Sequence, residues 1–261
     1  MSLRHTRILV LCKTYPSPSA GYVETSCVAG MEEAGNLLRL YPVPFRLMSD
    51  TAQFKKWQWI EVDIEKARND HRTESHRIRV DNIKCIGEPL TTKNKWGARR
   101  EWLNRLPCFD SFAALDAARL EAGTTLGLLR PSAILGLDIA EARHPDWTED
   151  ERAKLLQAQS QGDLFDDQER RSISTLQKIL FDFHYRYRDL EGPQRHKIVD
   201  WEAGALYRHV SRDHGANWEK PFRDKIEREL PAKDLMFLMG TIHRFPDQWL
   251  IVSLIYPPKL P

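Results

Sequence analysis

The stretch FDFHYRYR, Phe181–Arg188, alternates aromatic residues with polar ones over all eight positions. Strict alternation predicts a β-strand with one buried face and one solvent face, because successive side chains of a strand point to opposite sides. Residues 196–199 follow a Gly-Pro turn and are predicted to pair with this strand. Asp200 then precedes residues 201–212, whose apolar side chains recur at helical spacing, so Asp200 is predicted to cap a helix.

Shorter stretches with the residue patterns of β-strands occupy the N-terminal part of the chain. Residues 7–13 contain an unbroken apolar run, residues 25–31 and 37–41 flank a turn, and residues 57–66 and 76–83 alternate. Short strands joined by turns are typical of antiparallel sheets and small barrels. This part is therefore predicted to form a β-rich unit that resembles a half-open barrel.

Helical spacing is found between and after these β-rich parts. Residues 95–106, 111–121 and 218–230 are predicted helices, and Thr148 is a predicted N-cap. Two apolar stretches, residues 235–242 and 249–255, around a turn at 244–247 predict a closing β-hairpin. The predicted fold class is therefore α+β, with an N-terminal antiparallel β-rich domain that is half-open and barrel-like, a helical acidic middle, and a C-terminal α+β domain that ends in a β-hairpin.

Charge is unevenly distributed along the chain. The 261 residues include 39 Lys+Arg and 37 Asp+Glu, a net charge of +2. Residues 1–108 contain 18 basic and 12 acidic residues, residues 109–170 contain 6 and 13, and residues 171–261 contain 15 and 12. We therefore predict a basic β-rich domain over 1–108, an acidic helical segment over 109–170 with a linker near 157–167, and a C-terminal domain over 171–261. Either the basic ends bind a polyanion, or the acidic middle pairs with them internally.

The sequence lacks the motifs and segments that are typical of several functional classes. Cys12, Cys27, Cys85 and Cys108 form no C-x-x-C pair, which argues against a zinc ribbon and favours a reducing cytoplasm. The sequence has no P-loop, G-x-G-x-x-G, H-E-x-x-H or G-x-S-x-G motif. Its apolar runs fall far short of the ~20 residues that cross a bilayer, and no secretory signal is evident. We therefore predict a cytoplasmic protein without a membrane partner.

Several phrases resemble a bacterial protein family without an assigned function. They are RLYPVPFR (39–46), FKKWQWIEV (54–62), RTESHRI (72–78), FHYRYR (183–188) and HKIVDWE (196–202). The resemblance extends over most of the chain. It implies that relatives have cysteines in the loop that corresponds to residues 189–195. In that case this chain has lost a metal-binding loop and kept only His196.

The leading hypothesis is binding of single-stranded DNA or RNA. On the polar side of the predicted N-terminal strands, tryptophans lie beside cations. Aromatic rings stack on bases, at about 1–3 kcal/mol each, while Lys and Arg bind phosphates. The alternative is that the tryptophans pack under the helices after residue 95. The predicted nucleic-acid-binding residues are Lys55, Lys56, Trp57, Trp59, Arg77, Arg79, Lys95, Arg99, Arg186 and Arg188.

A metal-dependent nuclease or phosphohydrolase is the enzymatic alternative. His184, His196, Asp200 and Glu202 are its predicted catalytic residues, because imidazoles and carboxylates together bind divalent cations. A divalent metal cofactor is expected only under this hypothesis. Asp200 and Glu202 alternatively serve the start of a helix. The sequence leaves open whether the protein is an enzyme.

Two further surfaces are candidates for binding. Lys13, Tyr15, Tyr22 and Glu24 surround a Pro-Ser loop and could line a ligand cleft, although such loops are mostly plain connections. The closing hairpin is apolar enough to lie in the middle of a sheet or to dock a protein partner. A non-catalytic subunit of a bacterial complex is therefore the third hypothesis.

Overall fold

Five strands close into a barrel at the N-terminal end of the computed structural model, which describes residues 3–18, 24–143, 146, 148–151 and 178–260. The ring order is β1-β3-β4-β6-β5, and pairing of β1 with β5 closes it; β4 and β6 run parallel and the other ring neighbours antiparallel. β2 and β7 extend this sheet outside the ring. The strands are β1 (Arg4–Lys13), β2 (Ser17–Pro18), β3 (Glu24–Met31), β4 (Leu37–Val43), β5 (Trp59–Lys66), β6 (Ser75–Ile78) and β7 (Lys84–Ile86).

A second seven-stranded sheet contains the remaining strands in the order β10-β11-β12-β14-β13-β9-β8. These strands are β8 (Cys108–Phe109), β9 (Leu126–Leu129), β10 (Ala133–Glu141), β11 (Phe181–Arg188), β12 (Pro193–Ile198), β13 (Met236–Ile242) and β14 (Phe245–Ile255). The helices are α1 (Lys93–Leu103), α2 (Phe112–Ala122), α3 (Trp201–His214) and α4 (Glu219–Arg223), which continues into a π-helix, Asp224–Glu229. Short 3-10 helices cover Phe45–Leu47, Val80–Asn82 and Gly215–Asn217. The predicted α+β class is confirmed, and the barrel is closed.

The barrel packs on one face of the second sheet. Leu9 and Leu11 of β1 and Met31 of β3 point out of the barrel and contact a cluster that includes Leu238 of β13 and Val252 of β14. Burial of such side chains stabilises the contact by about 1.5–3 kcal/mol each. The terminal hairpin, a predicted docking surface, is therefore part of the core in this structure.

The opposite face of the second sheet packs on helices. Phe183 and Tyr185 of β11 belong to one buried cluster with Tyr207 of α3 and Phe222 of α4. The barrel covers β9, β13 and β14 on its own side of the sheet. On that side, β10, β11 and β12 lie beyond the barrel, and their arginines Arg186 and Arg195 are about half exposed. This part of the sheet therefore presents charged side chains to solvent.

The helix predicted over residues 95–106 differs from the structure at its start. Asn94, Lys95 and Trp96 in α1 have φ between 51° and 67°, so regular helix begins only after them. Left-handed geometry costs about 1–3 kcal/mol for a residue with a side chain, and here it accompanies the burial of the Trp96 ring.

The predicted cap at Thr148 is confirmed, because Thr148 Oγ1 accepts a hydrogen bond from Glu151 N at 3.2 Å. The predicted linker at 157–167 lies outside the described residues. The three-part division of the chain stays a prediction, although strands from residues 109–141 share a sheet with β11 to β14. None of the helices in the described ranges has the length and apolarity that a membrane span needs.

Candidate nucleic-acid interface

Trp57, predicted to stack on bases, is a core residue with only 2% of its surface exposed. Its ring packs edge-on against Trp96 at 5.7 Å, and the Arg99 guanidinium lies 5.1 Å from the Trp57 ring centre. The alternation of β5 does not reach Trp57, because that strand begins at Trp59. A buried ring cannot stack on a base, so the prediction for Trp57 is corrected.

Trp59 keeps part of its surface exposed. It contacts Trp102 of α1 edge-on at 4.8 Å, with Arg7 5.4 Å above the Trp59 ring and Arg105 4.0 Å above the Trp102 ring. Arg7 also pairs with Glu33 at 2.8 Å. Trp59 is the ring of the predicted stacking surface that remains on the outside of the barrel, and Trp102, which was not predicted there, lies against it.

Lys56 is not available to bind phosphate. Its Nζ donates to Glu202 Oε2 at 2.9 Å and to the Leu254 carbonyl at 3.0 Å, and lies 4.0 Å from Asp200 Oδ2. Burial opposes its charge, but the Asp200 and Glu202 carboxylates outweigh burial and raise the pKa of Lys56. Lys56 therefore joins the barrel to the start of α3, and its predicted role is corrected.

Two of the remaining cations predicted on the barrel side, Arg77 and Arg79, lie beside acids, and Arg99 Nε donates to the Leu90 carbonyl at 2.8 Å. Lys55, Arg77, Arg79 and Lys95 are exposed. Arg77 faces Glu65 across the β5–β6 register, and the Arg79 charge contributes to a lowered pKa of Asp63 after the hydrogen bonds from His5 and Asn82. Such exposed pairs contribute little stability, but they reduce the positive potential of this side.

A more cationic surface lies on the part of the second sheet that extends beyond the barrel. We call it the polar strand face; it comprises Asp138, Asp182, His184, Arg186, Arg188, Arg195 and Lys197. Arg186 and Arg195 are direct cross-strand neighbours. Asp138 accepts from the Nε of each of them at 2.8 Å, and Asp182 pairs with Lys197 at 2.6 Å. Four cations and two carboxylates give this face two excess positive charges.

His184 lies at the centre of the polar strand face, between Asp138 and Lys197 in the register. Its Nδ1 is buried and has no hydrogen-bond partner within the described part of the chain. Burial first, and then the charges of Arg195 and Lys197, lower the pKa of His184. The ring is therefore neutral near pH 7 and can offer an acceptor or a stacking surface.

The predicted catalytic residues do not assemble into one site. His196 lies on the opposite side of the sheet from His184, where its Nδ1 is 3.0 Å from the Tyr187 hydroxyl and burial lowers its pKa to about 4. Asp200 caps α3: its Oδ1 accepts from Glu202 N and its Oδ2 from Leu254 N, each at 2.7 Å. Since Glu202 pairs with Lys56, these side chains have structural roles, and the prediction of a shared metal site is corrected.

Residues 108–261 match the family model described as Domain of unknown function (DUF8757). The chain belongs to this family. A second model, Domain of unknown function (DUF8758), matches residues 4–105. The expected membership of a family without an assigned function is thereby confirmed.

Comparison with curated proteins gives no match for this DUF8757 member. Among solved structures, it is similar to a chain from "Structure and Conformational Change of a Replication Protein A Heterotrimer Bound to ssDNA", at a TM-score of 0.30 and 8% identity. The alignment covers 98% of this chain and 66% of that chain. At this TM-score the superposition does not establish a shared fold.

Arg195 and Lys197 belong to the polar strand face of the DUF8757 member but were absent from the predicted interface. The alternation of side chains between the two faces of paired strands could have identified Arg195 and Lys197. Once residues 196–199 are paired with FHYRYR, every second residue of the partner strand shares a face with Arg186 and Arg188. β12 begins at Pro193, three residues earlier than predicted, so Arg195 lay outside the predicted strand.

Three residues of the predicted Pro-Ser loop cluster do meet at the end of the barrel next to α3; Tyr22 lies outside the described residues. Lys13 Nζ lies 3.4 Å from the Phe45 ring centre, and burial lowers the pKa of Lys13 to about 8. Glu24 is buried, pairs with Arg46 at 3.1 Å, and has a pKa raised mainly by burial. The Tyr15 ring packs against Gly204 of α3, where a Cβ would lie 2.8 Å from Tyr15 Cδ2. In this structure the cluster joins the barrel to α3.

Proposed function

We propose that the protein binds single-stranded nucleic acid through the polar strand face. The observation that carries the proposal is the placement of Arg186 directly opposite Arg195, with Arg188 and Lys197 on the same face. Like charges directly opposite each other destabilise an antiparallel strand pair. Asp138 offsets part of this repulsion, and a polyanion would offset more of it.

The chemistry of the face suits a nucleic-acid backbone. Arginine donates two parallel hydrogen bonds to a phosphate, and the side chains of Arg186 and Arg195 are 50% and 51% exposed. A strand advances about 3.4 Å per residue, so Arg186 and Arg188 start about 7 Å apart along one side of the sheet. His184, half-buried among them, can contact a base, as His rings do in RNA-binding proteins.

Nothing comparable favours the enzymatic hypothesis, because its four predicted residues are separated between two faces of the sheet and a helix cap. The barrel side is a secondary candidate for contact with bases through Trp59 and Trp102. Its cations lie among Glu61, Asp63 and Glu65, so we place the phosphate contacts on the second sheet.

Fluorescence anisotropy with labelled single-stranded DNA and RNA at several salt concentrations tests the proposal. The logarithm of the binding constant should fall with the logarithm of salt concentration at about −0.7 per phosphate contact, so four contacts give a slope of about −3. The double variant Arg186→Gln/Arg195→Gln should bind about tenfold more weakly or worse, with about half that slope.

The matched control is Lys220→Gln/Arg228→Gln, which removes two exposed cations that pair with Asp224 and do not belong to the polar strand face. It should leave both affinity and slope unchanged. Salt-independent titrations with both polymers, or equal losses in the two double variants, would contradict the proposal.

A further inference from the structure

Three side chains with metal-ligating groups meet where the β5–β6 loop approaches the turn between β13 and β14. They are Asp70 and His71 of the loop and His243 of the turn, and their ligand atoms all lie within 4.8 Å of one another. His243 Nδ1 is 3.3 Å from Asp70 Oδ1. The two imidazole rings stack with centres 5.8 Å apart and planes 30° from parallel.

We propose that Asp70, His71 and His243 bind a divalent transition-metal ion of the Zn²⁺ class. Zn²⁺ binds imidazole nitrogen at about 2.0–2.1 Å, so two imidazoles on one tetrahedral ion have ring centres about 5 Å apart. The observed separation is close to that value, and both histidines are exposed, so their rings can close on an ion. Two imidazoles favour this class over Mg²⁺ or Ca²⁺, which take oxygen ligands.

The carboxylate of the site is already oriented. Arg72 donates from Nε to Asp70 Oδ1 at 2.9 Å and from Nη2 to Oδ2 at 2.6 Å. The same guanidinium donates from Nη1 to the Thr241 carbonyl at 2.7 Å, which holds the loop against β13. Fixed outer contacts of this kind orient metal ligands.

Arg72 also limits the affinity of the site. A carboxylate has about four acceptor positions, and the Arg72 side chain and backbone N–H occupy up to three of those on Asp70. The guanidinium charge opposes a second cation. We therefore expect binding on the order of micromolar, with water completing a four-coordinate shell.

Such an ion would join the barrel to the terminal hairpin. Its ligands come from a β5–β6 loop within the DUF8758 match and a β13–β14 turn within the DUF8757 match. None of its ligands belongs to the polar strand face, so this inference stands independently of nucleic-acid binding.

Titration of the metal-free full chain tests the inference. Isothermal titration calorimetry with Zn²⁺ should give one equivalent per chain, and Co²⁺ should give visible absorption bands of a four-coordinate ion. His243→Ala and His71→Ala should each weaken Zn²⁺ binding at least about tenfold and remove the Zn²⁺-induced rise in Tm.

His209→Ala is the control, because His209 is an exposed imidazole 3.2 Å from a carboxylate, that of Asp213, at a distant place in the fold. It should bind Zn²⁺ like the wild type. Far-UV circular dichroism establishes that each variant is folded. Absence of stoichiometric binding, or equal affinity in wild type, His71→Ala and His243→Ala, would overturn the inference and identify any bound ion as adventitious.

Discussion

The outer side of the barrel and the polar strand face have the same sequence pattern, in which polar and apolar residues alternate and cations lie among the polar ones. The two surfaces nevertheless differ in how accessible these cations are in the structure. On the barrel side, α1 packs over Trp57 and the start of α3 pairs with Lys56. On the second sheet, Arg186 and Arg195 stay half exposed, because β10 to β12 extend past the barrel. The difference teaches that periodicity identifies the polar side of a strand, but the elements packed against that side decide what remains accessible.

The largest expected effect is on the barrel side. Trp57→Ala removes a buried aromatic side chain and should destabilise the protein by about 3–5 kcal/mol. Trp59→Ala, which removes a partly exposed ring, should cost less. Urea unfolding compares the two midpoints. Equal midpoints for both variants would mean that Trp57 is as accessible as Trp59, and the contrast between the two surfaces would fail.

Lys56→Met should have the next largest effect, about 3 kcal/mol at neutral pH, because it leaves the buried Asp200 carboxylate without its cation. Burial already raises the pKa of Asp200 in the wild type. A carboxyl group with a raised folded-state pKa destabilises the fold once pH rises above its unfolded-state value. The penalty of the variant should therefore grow from about pH 4 towards neutrality.

Urea midpoints of wild type and Lys56→Met between pH 4 and pH 8 measure this penalty. Lys55→Met, which changes an exposed neighbour, should lower the midpoint by little at any pH. A pH-independent difference between wild type and Lys56→Met would show that Lys56 does not compensate Asp200.

The smallest effect on stability is expected on the polar strand face. Asp138→Asn removes the charge shared by Arg186 and Arg195, and exposed ion pairs of this kind contribute about 0–1 kcal/mol each. The variant should nevertheless bind single-stranded nucleic acid more tightly at low salt, because the face gains net positive charge. Anisotropy titrations measure the change, and weaker binding by Asp138→Asn would argue against phosphate contacts at these arginines.

Much of the architecture follows from local patterns. The eight-residue alternation of Phe181–Arg188 and the Asp200 cap appear in the structure where sequence placed them, and the closing hairpin also forms, although β14 begins at Phe245, inside the predicted turn. Each depends on a few consecutive residues, whose period or capping group already selects the local conformation. The candidate site was only half predicted: Arg186 and Arg188 lie on it, whereas Arg195 and Lys197 join it through strand pairing.

The sequence by itself determined which side of each strand is polar, where several helices begin, and that the chain mixes helices with sheets, because these properties depend on neighbouring residues. Only the tertiary structure decided which polar side stays open. Closure of the barrel by β1 and β5 and packing of Leu9 against the second sheet join residues far apart in sequence. Burial of Trp57 follows from that long-range packing, which no local period encodes, and separation of His184 from His196 follows from the pairing register of β11 with β12.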